Sequence, residues 1–426
     1  MVIISYICVI IDKERRNKMK NIIVGQSGGP TSVINSSIAG VYKKAKELGY
    51  DHVYGMVNGI EGFLNDNIID LDDYLSNEEN YELLKRTPSA FLGSCRYKLP
   101  KFEDDPDTYK KIFELLEKHE IESLLYTGGN DSMDTVKMLS DYAKENGKSQ
   151  KFFGVPKTID NDLPITDHCP GYGSCAKYIA TSLKEIIRDN ESFNKSRLTV
   201  CIVEIMGRHA GWLTAAAALA KDDNCSGVDA IYLPEDTFDL DEFLNRVKTL
   251  AETKSSIVIA VSEGIQTADG KFVCELGADD RAVDAFGHKQ LSGCASTLCN
   301  IVAKETGLKT RAIEFSTLQR AAAHIASLTD INEAEAVGAR AVEEVKKGNT
   351  GMMVTIQRVS EDPYKSETDI YDIHDIANVE KKIPNEWIDK ENKQMTDEFI
   401  KYARPLIIGE LLPIFKDGVP THLVRK

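Results

Sequence analysis

The densest chemistry in the sequence is the run Pro156-Lys157-Thr158-Ile159-Asp160-Asn161-Asp162. It follows a short apolar stretch over 152–155 and is bounded by Pro156 and Pro164. In an extended segment side chains alternate, so Thr158, Asp160 and Asp162 would point to one side. That presents a hydroxyl and two carboxylates together, beside a lysine. A turn at Asn161-Asp162 is the competing account.

Other loops carry groups that hold anions. Gly25-Gln26-Ser27-Gly28-Gly29-Pro30-Thr31 follows an apolar run and opens a helical pattern. Glycines let the backbone approach an anion, and a helix start offers free N–H groups and a positive dipole end. A tight turn without a ligand would read the same. Tyr126-Thr127-Gly128-Gly129-Asn130-Asp131-Ser132-Met133-Asp134 repeats the arrangement, with Asp131 or Ser132 equally able to cap a helix. Glu204-Ile205-Met206-Gly207-Arg208-His209-Ala210-Gly211 puts a guanidinium at a helix start. The dipole disfavours a cation there unless an anion joins it. Ser262-Glu263-Gly264 and Thr317-Leu318-Gln319-Arg320 are further polar ends of apolar runs.

The elements that must position these loops alternate in type. Apolar, β-branched runs predict strands over 21–26, 52–57, 122–127, 152–155, 198–205, 230–233, 256–262, 310–315 and 352–357. Helical patterns fall between them, over 109–119, 133–145, 173–189, 211–221, 240–252 and 332–347; in the third, Ile179, Leu183, Ile186 and Ile187 share one face. Such alternation specifies an α/β fold of mostly parallel sheets covered by helices on both faces. Ligands then bind at the carboxyl ends of the strands, where these loops lie.

The chain has 426 residues, enough for two domains, and 42% hydrophobic with 28% charged residues is a globular composition. A net charge of −15 argues against nucleic acid or an anionic membrane as the main partner. Phosphate substrates need only a local cluster of cations. Nine cysteines without a C-x-x-C pair read as reduced thiols in a cytoplasmic protein, and the spacing of Cys294 and Cys299 suits no common metal motif. The apolar start, 1–11, is too short to span a bilayer, and its positive residues follow rather than precede it, unlike a signal peptide. Residues 1–18 are expected to be a disordered extension ahead of Met19.

In this order and after these strands, the motifs GGP, GSCR, GGNDS, PKTIDND, MGRHAGW, SEG and LQR resemble the phosphofructokinase family over about residues 20–360. The resemblance implies two Rossmann-like three-layer domains with the active site in the cleft between them. Residues 19–171 with about 322–375 would bind the phosphoryl donor, and 172–321 the sugar phosphate. Residues 376–426, with Trp387 and a charged run to Glu398, have no assignment. Gly28 and Arg96 match donor-phosphate positions, Asn130 the position associated with Mg²⁺, and Asp160 the catalytic base. Thr158, Ile159, Asp160, Met206, Gly207, Arg208, Glu263, Thr317, Leu318, Gln319 and Arg320 match the sugar-phosphate site.

Donor choice turns on two positions. ATP-using relatives commonly have glycine where this chain has Asp131 and Lys157, and pyrophosphate-using relatives resemble it at both. A carboxylate at Asp131 would occupy and repel the place of the α-phosphate of ATP; Lys157 can supply a cation to the transferring phosphoryl. The resemblance therefore implies reversible transfer from pyrophosphate to the 1-hydroxyl of fructose 6-phosphate, with Mg²⁺, in a homodimer or homotetramer. Asp131, Lys157, Asp160 and Asp162 are the expected catalytic group. The chain departs from the bacterial ATP-dependent pattern at Thr199, where an arginine serving a neighbouring subunit is usual and Arg197 stands two residues earlier. It departs again at Ala321-Ala322, where two glycines are usual. An ATP-dependent enzyme is the second reading, and a non-catalytic subunit of the same fold the third.

Overall fold

The computed structural model describes residues 20–193, 198–276 and 293–425. The expected 1–18 extension and Arg197 lie outside the described residues. The strands form two main sheets. In chain order the principal elements of the first part are β1 (Asn21–Gln26), α1 (Ile34–Glu47), β2 (Val53–Met56), β3 (Ile68–Asp70), α2 (Pro106–Lys118), β4 (Ile121–Gly128), α3 (Asn130–Glu145) and β5 (Lys151–Pro156). The chain then enters α4 (Tyr172–Glu191), β6 (Thr199–Ile205), β7 (Ala230–Tyr232), α5 (Leu240–Thr253), β8 (Ser256–Ser262), α6 (Cys294–Thr306) and β9 (Lys309–Glu314). It returns through α7 (Leu328–Lys347) to β10 (Met352–Glu361) and β11 (Tyr364–Asp372), and ends in a segment containing α8 (Asp397–Ala403).

The first sheet has the order β11-β10-β5-β4-β1-β2-β3, parallel through its centre and antiparallel at both edges. The second, β7-β8-β6-β9, is parallel throughout. Their central strands are buried on both faces, as parallel sheets under helices require, which is why β1, β4 and β5 read as continuous apolar runs. The α/β class with two mostly parallel sheets is thus borne out.

Two local expectations are corrected. The 211–221 helix is α-helical only over Trp212–Ala215, and the alanine-rich stretch that follows tightens into a 3₁₀ helix, Ala216–Ala220, buried against α4. The 158–162 run is not extended. Asn161 takes the left-handed conformation, φ 54°, so the chain turns there and the three side chains do not alternate along a strand.

Among the described residues no helix is long and apolar enough to cross a membrane. The C-terminal segment is part of the core. Ile383, Phe399, Ala403 and Leu406 are buried in the apolar cluster that also holds Tyr172, Trp212 and Val203.

Candidate active site

The carboxyl ends of β1, β4 and β5 bring three loops together. Gly28, at φ +73°, turns the loop after β1 so that a Cβ there would lie 3.6 Å from Lys157 Nζ. The Lys157 ammonium, on a side chain 2% exposed, donates to the Gly29 carbonyl at 2.6 Å. One of its three protons is thereby used. Burial pushes this ammonium down to about 8, against the pull of Asp160. The 93–96 loop lies along the same turn: Gly28 N–H donates to the Cys95 carbonyl (3.2 Å) and Ser94 Oγ to the Gly28 carbonyl (2.6 Å). Arg96, exposed, is carried at its end.

The second sheet supplies the facing wall. Arg320, in a short helix after β9, reaches across so that a Cβ on Gly29 would lie 3.1 Å from its Nη1. Its Nε is buried without a hydrogen-bond partner. Burial and then the Arg96 charge destabilise its cation, the pattern expected where guanidinium groups crowd without their anion. Glu263 follows β8, and its carboxylate accepts from Gly207 N–H at 3.4 Å. Gly264 allows this fit, since a Cβ there would be 2.0 Å from the Arg208 carbonyl. Burial raises the Glu263 carboxyl, and Asp160, Arg208 and Arg320 all act on it. Met206 N–H donates to Gln319 Oε1 (3.4 Å), tying the ends of β6 and β9.

Asp160 lies between the walls. Thr158 Oγ accepts from Asp160 N–H at 3.0 Å and stands 3.5 Å from its carboxylate. Burial raises the Asp160 carboxyl, opposed chiefly by Lys157. Asp162 is raised to about 7 by burial and by the Asp160 charge. Asp131 is exposed in the first turn of α3, and its carboxylate forms no ion pair among the described residues. Asn130 Nδ2 donates to the Val379 carbonyl at 3.0 Å.

The structure therefore gathers Gly28, Lys157, Asp160, Glu263 and Arg320 into mutual reach, with Arg96 and Arg208 acting on them. It separates others by function. The Ile159 side chain points into the apolar core, leaving only its backbone for a ligand. Thr317 and Leu318 are exposed, Leu318 by 64%, whereas Gln319 is buried.

Sequence reasoning missed the supports. Gln26 Nε2 donates to Asn35 Oδ1 (2.9 Å), Gln26 Oε1 accepts from Leu92 N–H (2.8 Å) and Asn35 Oδ1 from Phe91 N–H (2.9 Å), which fixes the loop bearing Arg96. Gln26 stood at the end of an apolar run, a polar anomaly that could have drawn notice. Asn161 read only as a turn residue, and Lys381 and Tyr402 gave no such signal.

A family model described as "Phosphofructokinase" matches residues 21–345. The pyrophosphate–fructose 6-phosphate 1-phosphotransferase of Methylococcus capsulatus is 40% identical over 406 residues, covering 95% of each chain. That of Xanthomonas campestris pv. campestris is 42% identical over 407 residues, covering 95% of this chain and 96% of the relative. Among solved structures, the pyrophosphate-dependent phosphofructokinase of Nitrosospira multiformis superposes with a TM-score of 0.86 at 37% identity, covering 95% of this chain and 96% of that one.

Proposed function

This chain belongs to the phosphofructokinase family, and on that premise we propose that it transfers a phosphoryl group reversibly between pyrophosphate and the 1-hydroxyl of fructose 6-phosphate. The observation that carries the reading is the buried Lys157 ammonium at the Gly28–Gly29 turn, with Arg320 closing from the other sheet. In an acidic protein, cations held this close need an anionic ligand between them.

Phosphoryl transfer asks a protein for positioning and charge neutralisation. Gly28 and Arg96 hold the donor, with two Lys157 protons left for the transferring group. Arg208 and Arg320 hold the sugar phosphate; Thr158, the Ile159 backbone, Met206, Gly207, Glu263 and the 317–319 turn orient the sugar. Asp160 takes the proton of the attacking hydroxyl. Its raised carboxyl makes it a better base than an exposed aspartate. Asp131, without an ion pair among the described residues, confines the donor site to pyrophosphate.

Phosphofructokinase-type transferases generally use a divalent metal, and the oxygens here fit one. Asn130 Oδ1 and Asp162 Oδ1 are both buried without partners. A hard cation such as Mg²⁺ takes few protein oxygens and completes its shell with water and phosphate. Held by Asn130 with Asp162 nearby, it would neutralise charge on the phosphate oxygens. Among the described residues the His/Cys/Asp/Glu cluster of metal-ligand spacing is His52, Asp70 and Asp72, at the far edge of the first sheet.

Copies of the chain assemble as a homodimer or homotetramer in this reading, supported by the open outer edge of β9 and its largely exposed residues. A reducing cytoplasm suits the eight described cysteines, all buried and none in a disulfide among the described residues. The test is a pair of assays on purified protein: phosphate release from pyrophosphate with fructose 6-phosphate, and pyrophosphate formation from fructose 1,6-bisphosphate with phosphate. Activity in both directions supports the reading; none in either overturns it.

A further inference from the structure

Residues 379–383 of the C-terminal segment touch the loops that follow β4, β5, β6 and β7. The Val379 carbonyl accepts from Asn130 Nδ2 at 3.0 Å, at the start of α3. Lys381 N–H donates to the Asp162 carbonyl at 2.7 Å. The Lys381 carbonyl accepts from Trp212 Nε1 at 3.0 Å, beyond the Arg208 loop. Ile383 N–H reaches Glu235 Oε1 (3.4 Å), which also accepts from Gly211 N–H (2.9 Å).

The Lys381 ammonium is the most informative atom. It does not point to solvent. It donates to the carbonyls of Thr166 (3.0 Å) and Asp167 (2.8 Å), on the return limb of the Asp160 loop, with its charge over the Trp212 ring. Removing a cation from water costs free energy, and here backbone carbonyls repay it rather than a carboxylate. Burial accordingly destabilises the charged form. A second anchor acts beside it: Asn161 Nδ2 donates to Tyr402 Oη (2.7 Å), which donates to the Asp167 carbonyl (2.8 Å). Among the described residues the hydrogen bonds of Asp160 are those with Thr158, so its place depends on the loop.

We propose that residues 379–383 are a strap that positions the phosphoryl-transfer loop, with Lys381 holding the Asp160 turn in register with Asn130 on one side and Trp212 on the other. The inference rests on the reading of Asp160 as a reacting group. Lys381 is a positioning residue: it acts through the loop carbonyls.

The test uses the full chain with Lys381→Met, Lys381→Arg and Tyr402→Phe. A displacement of about 1 Å can cost roughly 10²-fold in rate. Lys381→Met is expected to lower kcat by about that factor, with KM for both substrates within about threefold of wild type. Lys381→Arg, which keeps charged donors, is expected to recover at least about a tenth of wild-type kcat. Amide hydrogen exchange should quicken over 158–168 and stay unchanged in β1. If Lys381→Met does not fold, Tyr402→Phe decides, because it removes one hydroxyl from a ring that stays in the core. A loss of kcat with faster exchange confined to 158–168 supports the strap. A kcat within about threefold of wild type, or faster exchange spread over the whole chain, overturns it. Wild-type protein inactive with pyrophosphate and fructose 6-phosphate would instead overturn the functional reading, and the exchange comparison would still report on the strap.

Discussion

Lys157 and Gly29 are joined by a 2.6 Å hydrogen bond from the buried ammonium to the backbone carbonyl, so the loop after β5 and the turn after β1 form one wall. A cation in that wall has its charge set by burial and by whatever anion lies beside it.

Asp160→Asn should remove the base and little else, since the amide is nearly isosteric. Loss of a general base typically costs about 10²–10⁴-fold, and kcat should fall by that range while both KM values move far less. A variant retaining more than about a third of wild-type kcat would remove Asp160 from the mechanism.

Arg208→Ala and Arg320→Ala should differ from each other. Arg208 lies in the loop after β6 and acts on Glu263, so its loss should raise KM for fructose 6-phosphate selectively. Arg320 stands against Gly29 and feels Arg96, so its loss should raise KM for both substrates. A charge-assisted contact to phosphate is worth about 1.5–3 kcal/mol, or roughly 10- to 150-fold. Steady-state titration of each substrate against the other at saturation reads this directly; identical profiles for the two variants would contradict the placement.

Lys157 gives a pH dependence with a definite sign. The ammonium is the useful form, and burial brings its loss down to about 8 in the free protein. The kcat/KM for pyrophosphate, corrected for ionisation of the substrate, should therefore fall as pH rises through about 8. Lys157→Arg should move that limb upward, because a guanidinium stays charged. A limb unmoved by this substitution assigns the titration elsewhere.

His168 gives a stability dependence of its own. Burial alone would lower its imidazole, but Glu333 and Asp167, both hydrogen-bonded to it, raise it to about 9. A raised folded-state value contributes stability fully below the unfolded value near 6.5, which is lost as pH rises through about 9. The contribution is on the order of 3 kcal/mol. The Tm of wild type should fall across this window, and His168→Gln should lower Tm at pH 6 while flattening the slope. A parallel slope in the variant would contradict it.

Much of this was legible because buried parallel strands must be continuously apolar and their ends must carry the chemistry. Strand boundaries at 21–26 and 256–262 match residue for residue. Strand β11 was not recognised: its alternation is real, but an edge strand of Tyr364, Lys365, Ser366 and Glu367 is polar enough to read as a loop. The burial of Lys157 was equally hidden, since a lysine in sequence reads as a solvated charge. The C-terminal segment was unassigned for a physical reason. Its meaning lies in contacts such as Asn161 to Tyr402 and Asp162 to Lys381, which join residues more than two hundred positions apart. No local pattern of charge or periodicity encodes such a contact.

In this mechanism Asp131 and Lys157 together fix pyrophosphate as the donor, and competition between donors would reveal it. Wild type, Asp131→Gly, Lys157→Gly and the double variant would each be assayed with pyrophosphate and with ATP, at saturating fructose 6-phosphate and Mg²⁺. Repulsion between the Asp131 carboxylate and an α-phosphate acts at short range, where salt screens it poorly. Wild type should use pyrophosphate and not ATP. Asp131→Gly should gain measurable ATP activity and lose pyrophosphate activity, and Lys157→Gly should mainly lower kcat with pyrophosphate. The two changes should combine non-additively, because both groups act on one phosphate chain. A wild type that prefers ATP would contradict the account, as would an Asp131→Gly variant with unchanged pyrophosphate kinetics and no ATP activity.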